Sequence, residues 1–137
     1  MTSKVPLVYP DQTIGEAQSL VFHFIKVFKS VDYLYVVDRK GKFYGILTIK
    51  ELYSTEKSVH VGNVCKRHSL VTVKPLTHQE KVAYLALKNN IKAVPVVGDN
   101  KEFLGAILND TILTIVYKET HEDLLRLAGV HPHAAHT

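Results

Sequence analysis

Residues 35–45 read Y-V-V-D-R-K-G-K-F-Y-G, and residues 95–105 read P-V-V-G-D-N-K-E-F-L-G. Both stretches have the pattern of an apolar strand, a polar turn and a second apolar strand. Val, Val, Phe and Gly coincide between them at an offset of 60 residues without a gap. An internal match of this length predicts that the chain contains two copies of one structural unit.

The residues around these stretches extend the repeat. T-x-x-E occurs at Thr13 to Glu16 and again at Thr77 to Glu80, an offset of 64 residues, and this spacing is typical of the capping box at a helix start. The first copy should therefore carry four extra residues between its helix and its strand. Short extended segments are predicted before these helices, at 7–9 and 70–73, and closing helices near 50–55 and near 110–118. The predicted order is β-α-β-β-α, twice.

Each copy has only about 50 residues and is too small to cover both faces of its sheet comfortably. We therefore expect a mixed α/β (α+β) fold in which the copies pack sheet to sheet around a pseudo-twofold axis. Equivalent residues from both copies would then line the cleft. The predicted divisions of this single 137-residue module are repeat one at 7–55, a connector at 56–69, repeat two at 70–118, a C-terminal connecting helix at 119–130 and a disordered tail at 131–137.

Composition excludes several classes of protein. Hydrophobic residues make up 46% and charged residues 22%, as in a globular domain, and the 17 Lys and Arg are scattered, which argues against a nucleic-acid partner. The single cysteine, Cys65, excludes an internal disulfide. No segment approaches the roughly 20 apolar residues of a membrane helix, and no secretory signal is evident. The sequence contains no nucleophile, P-loop or metalloprotease motif that would indicate an enzyme. We expect a soluble, cytosolic segment without direct membrane insertion.

The pattern of helix, Y/P-V-V-D/G, turn, F-x-G-I-L-T, acid and helix resembles a tandem CBS, or Bateman, module over 7–118. Residues 119–130 resemble the segment that follows the CBS pair in MgtE-type magnesium transporters. The resemblance implies a cytosolic regulatory domain that pairs as a homodimer and acts on the membrane pore domain of the same transporter. Two alternatives stay open: a ligand-free dimerisation module, and a stand-alone CBS protein that regulates a partner enzyme.

The end of the first copy, G-I-L-T-I-K-E at 45–51, has features of a nucleotide site. Helix-start amides favour phosphate, Lys50 could reach a phosphate, and Thr48 can donate and accept hydrogen bonds. In CBS modules that bind adenosine nucleotides the matching pattern is G-h-h-[ST]-x-x-D. The resemblance thus implies that Glu51 holds the ribose hydroxyls, although Glu replaces the usual Asp. The alternative is that Thr48 and Glu51 only cap the helix.

The second copy has Leu108 in place of Thr48 and Thr111 in place of Glu51, so the sequence predicts one site per chain. The resemblance implies that the ligand is ATP, ADP or AMP, with or without Mg²⁺, and that its adenine lies in the cleft. The candidate base contacts are Tyr33, Leu34, Tyr35, Ala93, Val94 and Pro95. For the two tyrosines, packing within the strands is the alternative.

A direct magnesium site is a separate hypothesis. MgtE-type transporters bind Mg²⁺ on acidic surfaces, and carboxylates are the ligands that Mg²⁺ prefers. The nearest acidic cluster consists of Glu119, Glu122 and Asp123, which share a helix face at helical spacing. A solvated helix face is the alternative interpretation.

Overall fold

The computed structural model describes residues 4–28, 31–67, 71–108 and 111–112. The strands are β1 (Leu7–Val8), β2 (Tyr33–Val37), β3 (Phe43–Thr48), β4 (Ala93–Val97) and β5 (Phe103–Leu108). The α-helices are α1 (Ile14–Phe24), α2 (Ile49–Ser54) and α3 (Gln79–Lys88), and a 3₁₀ turn spans Val61–Asn63 in the connector. The predicted helices near 110–118 and at 119–130, and the tail, lie outside the described residues, except that Thr111 and Ile112 are helical.

Two small sheets follow the predicted repeat. One sheet has the order β1-β2-β3, with β1 parallel to β2 and β2 antiparallel to β3, and the other pairs β4 with β5. In repeat two, Val73 forms a parallel bridge with Val96, just as Val8 pairs with Val36 in repeat one. The predicted mixed α/β fold of two equivalent units is confirmed.

The offset of 60 residues holds along the whole length of both hairpins. Tyr33 pairs with Thr48, and Ala93 pairs with Leu108. The register shifts fall at equivalent places, between Val36 and Val37 and between Val96 and Val97. Because a register slip of one residue would turn every side chain to the opposite face, this match gives equivalent residues equivalent orientations.

The predicted start of the second repeat's first helix is wrong by one residue. His78, rather than Thr77, is the N-cap of α3, and its Nδ1 accepts a hydrogen bond from the Glu80 amide at 3.2 Å. The Thr77 hydroxyl instead accepts from the Lys74 amide at 3.0 Å and closes the preceding turn. Thr13 and His78 are therefore the equivalent caps, at an offset of 65.

The extra residues of repeat one lie mostly after its helix. Eight residues, 25–32, separate α1 from β2, whereas four residues, 89–92, separate α3 from β4. Since α1 has 11 residues and α3 has 10, repeat one has one further residue in the helix itself. The short loop in repeat two keeps the end of α3 close to the start of β4.

Three apolar clusters form the core of the described part of the chain. One lies within each repeat, around Leu34 in repeat one and around Val94 in repeat two, and both of these side chains are fully buried. The third joins the repeats and includes Tyr35, Phe43 and Phe103. The two phenylalanine rings stack with their centroids 5.9 Å apart. Burial of this third cluster holds the two sheets together.

Reciprocal hydrogen bonds join the two hairpins near their turns. The Phe43 amide donates to the Lys101 carbonyl at 2.8 Å, and the Phe103 amide donates to the Gly41 carbonyl at 3.0 Å. Exchange of the repeats turns one bond into the other, so the predicted pseudo-twofold axis passes between them. Gly41 and Lys101 both have positive φ, 82° and 64°, which these turns require.

Candidate functional site

A cavity of about 370 Å³ lies in the cleft between the repeats. Its lining residues are Tyr33, Ile46, Thr48, Lys66, Val71, Asn89, Asn90, Ile91, Ala93 and Pro95. The structure thus brings together four residues that the sequence singled out: Tyr33 and Thr48 from repeat one, and Ala93 and Pro95 from repeat two. The Tyr33 hydroxyl also accepts a hydrogen bond from the Lys92 amide at 3.2 Å, which ties the two repeats at the edge of the cavity.

The Thr48 hydroxyl belongs to a complete capping box at the start of α2. Its Oγ1 donates to Glu51 Oε1 at 2.9 Å and accepts from the Glu51 amide at 3.1 Å. A hydroxyl has one proton and two lone pairs. The capping box uses the proton and one lone pair, so only the second lone pair can bond to a ligand in the cavity. With the box intact, Thr48 can accept a hydrogen bond from a ligand but cannot donate one to a phosphate oxygen.

Glu51 lies behind Thr48 and is half-buried. Its Oε1 also accepts from the Thr48 amide at 3.0 Å, whereas Oε2 accepts no hydrogen bond within the part of the chain that the structure describes. The helix-capping role is therefore present and leaves Oε2 without a hydrogen bond among the described residues, although Glu51 itself does not line the cavity. Lys50, the predicted phosphate contact, is exposed and does not line the cavity.

Three of the predicted base contacts do not line the cavity. Successive strand residues point to opposite faces, so Leu34 and Val94 enter the cores of their own repeats and are 0% exposed. Tyr35 faces the cleft but fills it, since it is 2% exposed and its ring centroid lies 5.1 Å from that of Phe103. Its side chain has the packing role that was the alternative to base stacking. Burial, with smaller contributions from Tyr33 and Asp32, raises the Tyr35 pKa above its usual value near 10.

Among the described residues, Tyr35 occupies the place in the second cleft that Pro95 has in the cavity. Exchange of the repeats places Tyr35 where Pro95 lies and Leu108 where Thr48 lies. Tyr35 and Leu108 are buried in the same cluster as Val5, which comes from the start of the chain. Larger apolar side chains therefore occupy this second cleft. One ligand site per chain stays a prediction, to which the burial of Tyr35 and Leu108 adds a steric argument.

Sequence reasoning missed the contribution of the connector and of the loop after α3. Lys66 exchanges two backbone hydrogen bonds with Ile46, at 2.8 and 3.0 Å, which places it beside the β3 wall of the cavity. Asn89, Asn90 and Ile91 reach the cavity because the loop after α3 is short. Strand alternation from Thr48 would have identified Ile46, but no local pattern indicates Lys66.

No cluster of three or more His, Cys, Asp or Glu side chains able to hold a metal ion occurs in the described ranges. The predicted magnesium ligands Glu119, Glu122 and Asp123 lie outside those ranges. Within the same ranges, no helix is long and apolar enough to cross a membrane.

Sequence comparison identifies the family. The CBS domain family matches residues 1–56 and 61–118, and the chain belongs to this family. The magnesium transporter MgtE of Bacillus subtilis is 27% identical over 129 residues, which cover 94% of this chain and 28% of the relative. MgtE of Thermus thermophilus is 27% identical over 130 residues, which cover 95% of this chain and 29% of the relative. The chain thus spans less than a third of these curated relatives.

A solved structure agrees with these relatives. The cytosolic domain of the Mg²⁺ channel MgtE, crystallised in complex with ATP, superimposes with a TM-score of 0.80 at 26% identity. The match covers 84% of this chain and 46% of that one. The resemblance seen in the sequence is therefore confirmed: the chain is a CBS pair similar to the cytosolic domain of MgtE.

Proposed function

We propose that this chain is the cytosolic regulatory domain of a magnesium transporter and that it binds an adenine nucleotide in the cavity between its repeats. The observation that carries the proposal is the cavity itself, because Thr48 from repeat one and Ala93 and Pro95 from repeat two meet there. Its volume of about 370 Å³ falls in the range of small-molecule sites. The similar MgtE domain was solved with ATP, which supports the choice of ligand.

The chemistry of the cavity suits a nucleoside in one orientation. The adenine ring would lie against the apolar wall formed by Ile46, Ile91 and Pro95. The ribose hydroxyls would donate to the remaining lone pair of Thr48 and to Oε2 of Glu51. Both protein groups are acceptors, and a ribose diol supplies two donors, so the two sides match.

Regulation would follow from the position of the cavity. A ligand that contacts both repeats stabilises the arrangement in which they are packed together, and it controls transport only if two states of the protein differ in affinity. The predicted C-terminal helix would pass this difference to the pore domain. Magnesium would enter with ATP, and the acidic cluster at 119–123 is a proposal for a second, direct route.

We also propose that two copies of the module pair through their helices. The helices carry strongly exposed apolar side chains: Phe22 on α1, Tyr53 on α2, and Tyr84 and Leu87 on α3. These side chains form the apolar surface through which the homodimer implied by the CBS resemblance would pair.

The complete capping box favours a second candidate, a dimerisation module without a ligand. Thr48 and Glu51 satisfy each other without a nucleotide, so their presence does not require one. Saturable nucleotide binding would exclude this candidate.

Calorimetric titration with ATP, with and without Mg²⁺, tests the proposal. The wild-type protein should bind about one ATP per chain. Glu51→Ala should weaken binding at least tenfold, because it removes a charged acceptor for the ribose hydroxyls. No saturable heat from the wild type would contradict the proposal and favour the dimerisation module. Heat on adding Mg²⁺ alone would indicate a direct ion site.

Helix α1 supplies a matched control. Thr13 and Glu16 form the same capping box, with bonds of 3.1 and 3.2 Å, but they do not line this cavity. Glu16→Ala and Glu51→Ala should each lower the free energy of unfolding by roughly 0.5–1 kcal/mol. Only Glu51→Ala should lose ATP affinity. Equal losses of ATP affinity in both variants would mean that Glu51 acts through stability alone.

A further inference from the structure

Lys66 is the one charged side chain among the described residues that line the cavity. Its backbone is fixed, because its amide donates to the Ile46 carbonyl and its carbonyl accepts from the Ile46 amide. Ile46 and Thr48 lie on the same face of β3, since they are two residues apart in a strand. The Lys66 side chain therefore starts from a defined point beside the wall that carries Thr48.

No acid neutralises Lys66 within the described residues. The ion pairs there include Arg39 with Asp11, Lys74 with Asp99 and Lys92 with Asp32, and none of these involves Lys66. Its side chain is exposed at the edge of the cavity and is free to reach inward. Lys66 thus has no acidic partner among the described residues, and those of them that line the cavity include no carboxylate, so an ammonium group at this position favours an anionic ligand.

The other groups expected to hold a phosphate are less suited to it. The Lys50 side chain lies outside the cavity. The α2 helix is only six residues long, and its Glu51 amide is already bonded to the Thr48 hydroxyl. Thr48 itself has no proton to give while the capping box is intact. Among the described residues that line the cavity, the Lys66 side chain is the remaining source of positive charge.

We propose that Lys66 contacts the phosphate groups of the bound nucleotide and makes the cavity select nucleotides over free nucleosides. This inference rests on the proposed nucleotide site and adds the orientation of the nucleotide within it. The ribose hydroxyls face the acceptors at Thr48 and Glu51, and the phosphates leave the cavity on the Lys66 side. Lys66 thus sets specificity at the anionic end of the ligand.

The test compares ATP, AMP and adenosine in titrations of the wild type, Lys66→Ala and Lys66→Arg. Lys66→Ala should weaken ATP binding about tenfold and change adenosine binding less than twofold, as for the loss of a charge-assisted contact at a partly exposed site. Lys66→Arg should restore most of the ATP affinity. Added salt should weaken ATP binding more in the wild type than in Lys66→Ala.

Lys50→Ala is the matched control, since it removes a neighbouring lysine that does not line the cavity, and it should keep wild-type affinity for ATP. A loss in Lys50→Ala with none in Lys66→Ala would overturn the assignment. So would equal losses of ATP and adenosine in Lys66→Ala, which would indicate a structural role. ATP and adenosine binding equally well to the wild type would reject the role of Lys66 but keep the nucleotide site. If neither ATP nor adenosine binds to the wild type, the nucleotide site and the role of Lys66 are both rejected.

Discussion

At the scale of single residues, Tyr35 and Pro95 determine which of the two equivalent clefts is open. They occupy the same register position in their hairpins, opposite Ile46 and Ala106. The Tyr35 ring reaches Phe103 and fills its cleft, whereas the shorter Pro95 leaves space in the other. One side-chain difference at a repeated position thus gives two similar halves different amounts of space among the described residues.

The buried Tyr35 predicts a loss of stability in alkaline solution. Burial raises its pKa in the folded protein above the usual value near 10. The folded state therefore holds this proton more tightly than the unfolded state does. Stability is full below pH 10 and decreases as the pH rises toward the folded-state pKa, by up to about 1.4 kcal/mol per pH unit.

Denaturant unfolding of the wild type and Tyr35→Phe between pH 8 and about 11.5 measures this effect. The difference in free energy of unfolding between the two proteins should change with pH only above about pH 10, because the other tyrosines are common to both. A constant difference over the whole range would show that Tyr35 does not titrate as its burial implies.

The spacing of single residues predicts part of the site. T-x-x-E at Thr48 and Glu51 is a local pattern, and the structure has the cap that this pattern describes. Lys66 could not be predicted, because its place beside Ile46 depends on a contact between a strand and a distant connector. Lys50 follows Thr48 closely in sequence, yet it is exposed on α2 and does not line the cavity.

At the scale of elements, β2 and β4 differ in how they bond to the strand before each helix. The Tyr35 amide donates to the Pro6 carbonyl at 2.9 Å. Pro95 has no amide proton, so β4 cannot make the equivalent bond. The open cavity therefore coincides with a weaker strand junction in repeat two.

Pro95→Tyr should close the cavity. The new ring would occupy the space that Tyr35 occupies in the equivalent cleft, and its amide could bond to the preceding strand. We expect that titration with ATP gives no binding heat in the calorimeter. The melting temperature should be equal to or above that of the wild type. Leu104→Tyr, at an exposed position on β5 outside the cavity, should bind ATP normally. Retained ATP binding in Pro95→Tyr would place the ligand elsewhere.

The elements also show where local patterns fail. The T-x-x-E motif at Thr77 is the same four-residue pattern as at Thr13, yet only the one at Thr13 forms a capping box. The difference arises because the Thr77 hydroxyl is bonded to the Lys74 amide. Two competing partners for one hydroxyl cannot be ranked from the sequence alone.

At the scale of the whole molecule, the 60-residue repeat predicted the architecture because it fixed the registers of both hairpins. Once Val36 and Val96 are equivalent, the packing of sheet against sheet follows from which faces are apolar. The asymmetry between the clefts was only partly predictable, since Leu108 and Thr111 indicated it but the filling by Tyr35 and Val5 required the packed structure.

The proposed homodimer gives a prediction at this scale. Phe22 is 77% exposed on α1, and Phe22→Asp should weaken dimerisation at least tenfold, because it would bury a charge in an apolar contact. Sedimentation equilibrium over a range of concentrations measures the dissociation constant. Leu76→Asp, at a 97% exposed position in the turn before α3, is the control and should leave the dissociation constant unchanged. A monomeric wild type would contradict the prediction.

The reciprocal bonds between Phe43 and Lys101 and between Phe103 and Gly41 have a consequence for the order of folding. Each hairpin closes between neighbouring strands, whereas these bonds join distant parts of the chain, and loop closure over longer segments is slower. We expect the hairpins to form first and to dock last. The cavity does not exist before docking, so a nucleotide bound there would slow the separation of the repeats and leave the rate of hairpin formation unchanged.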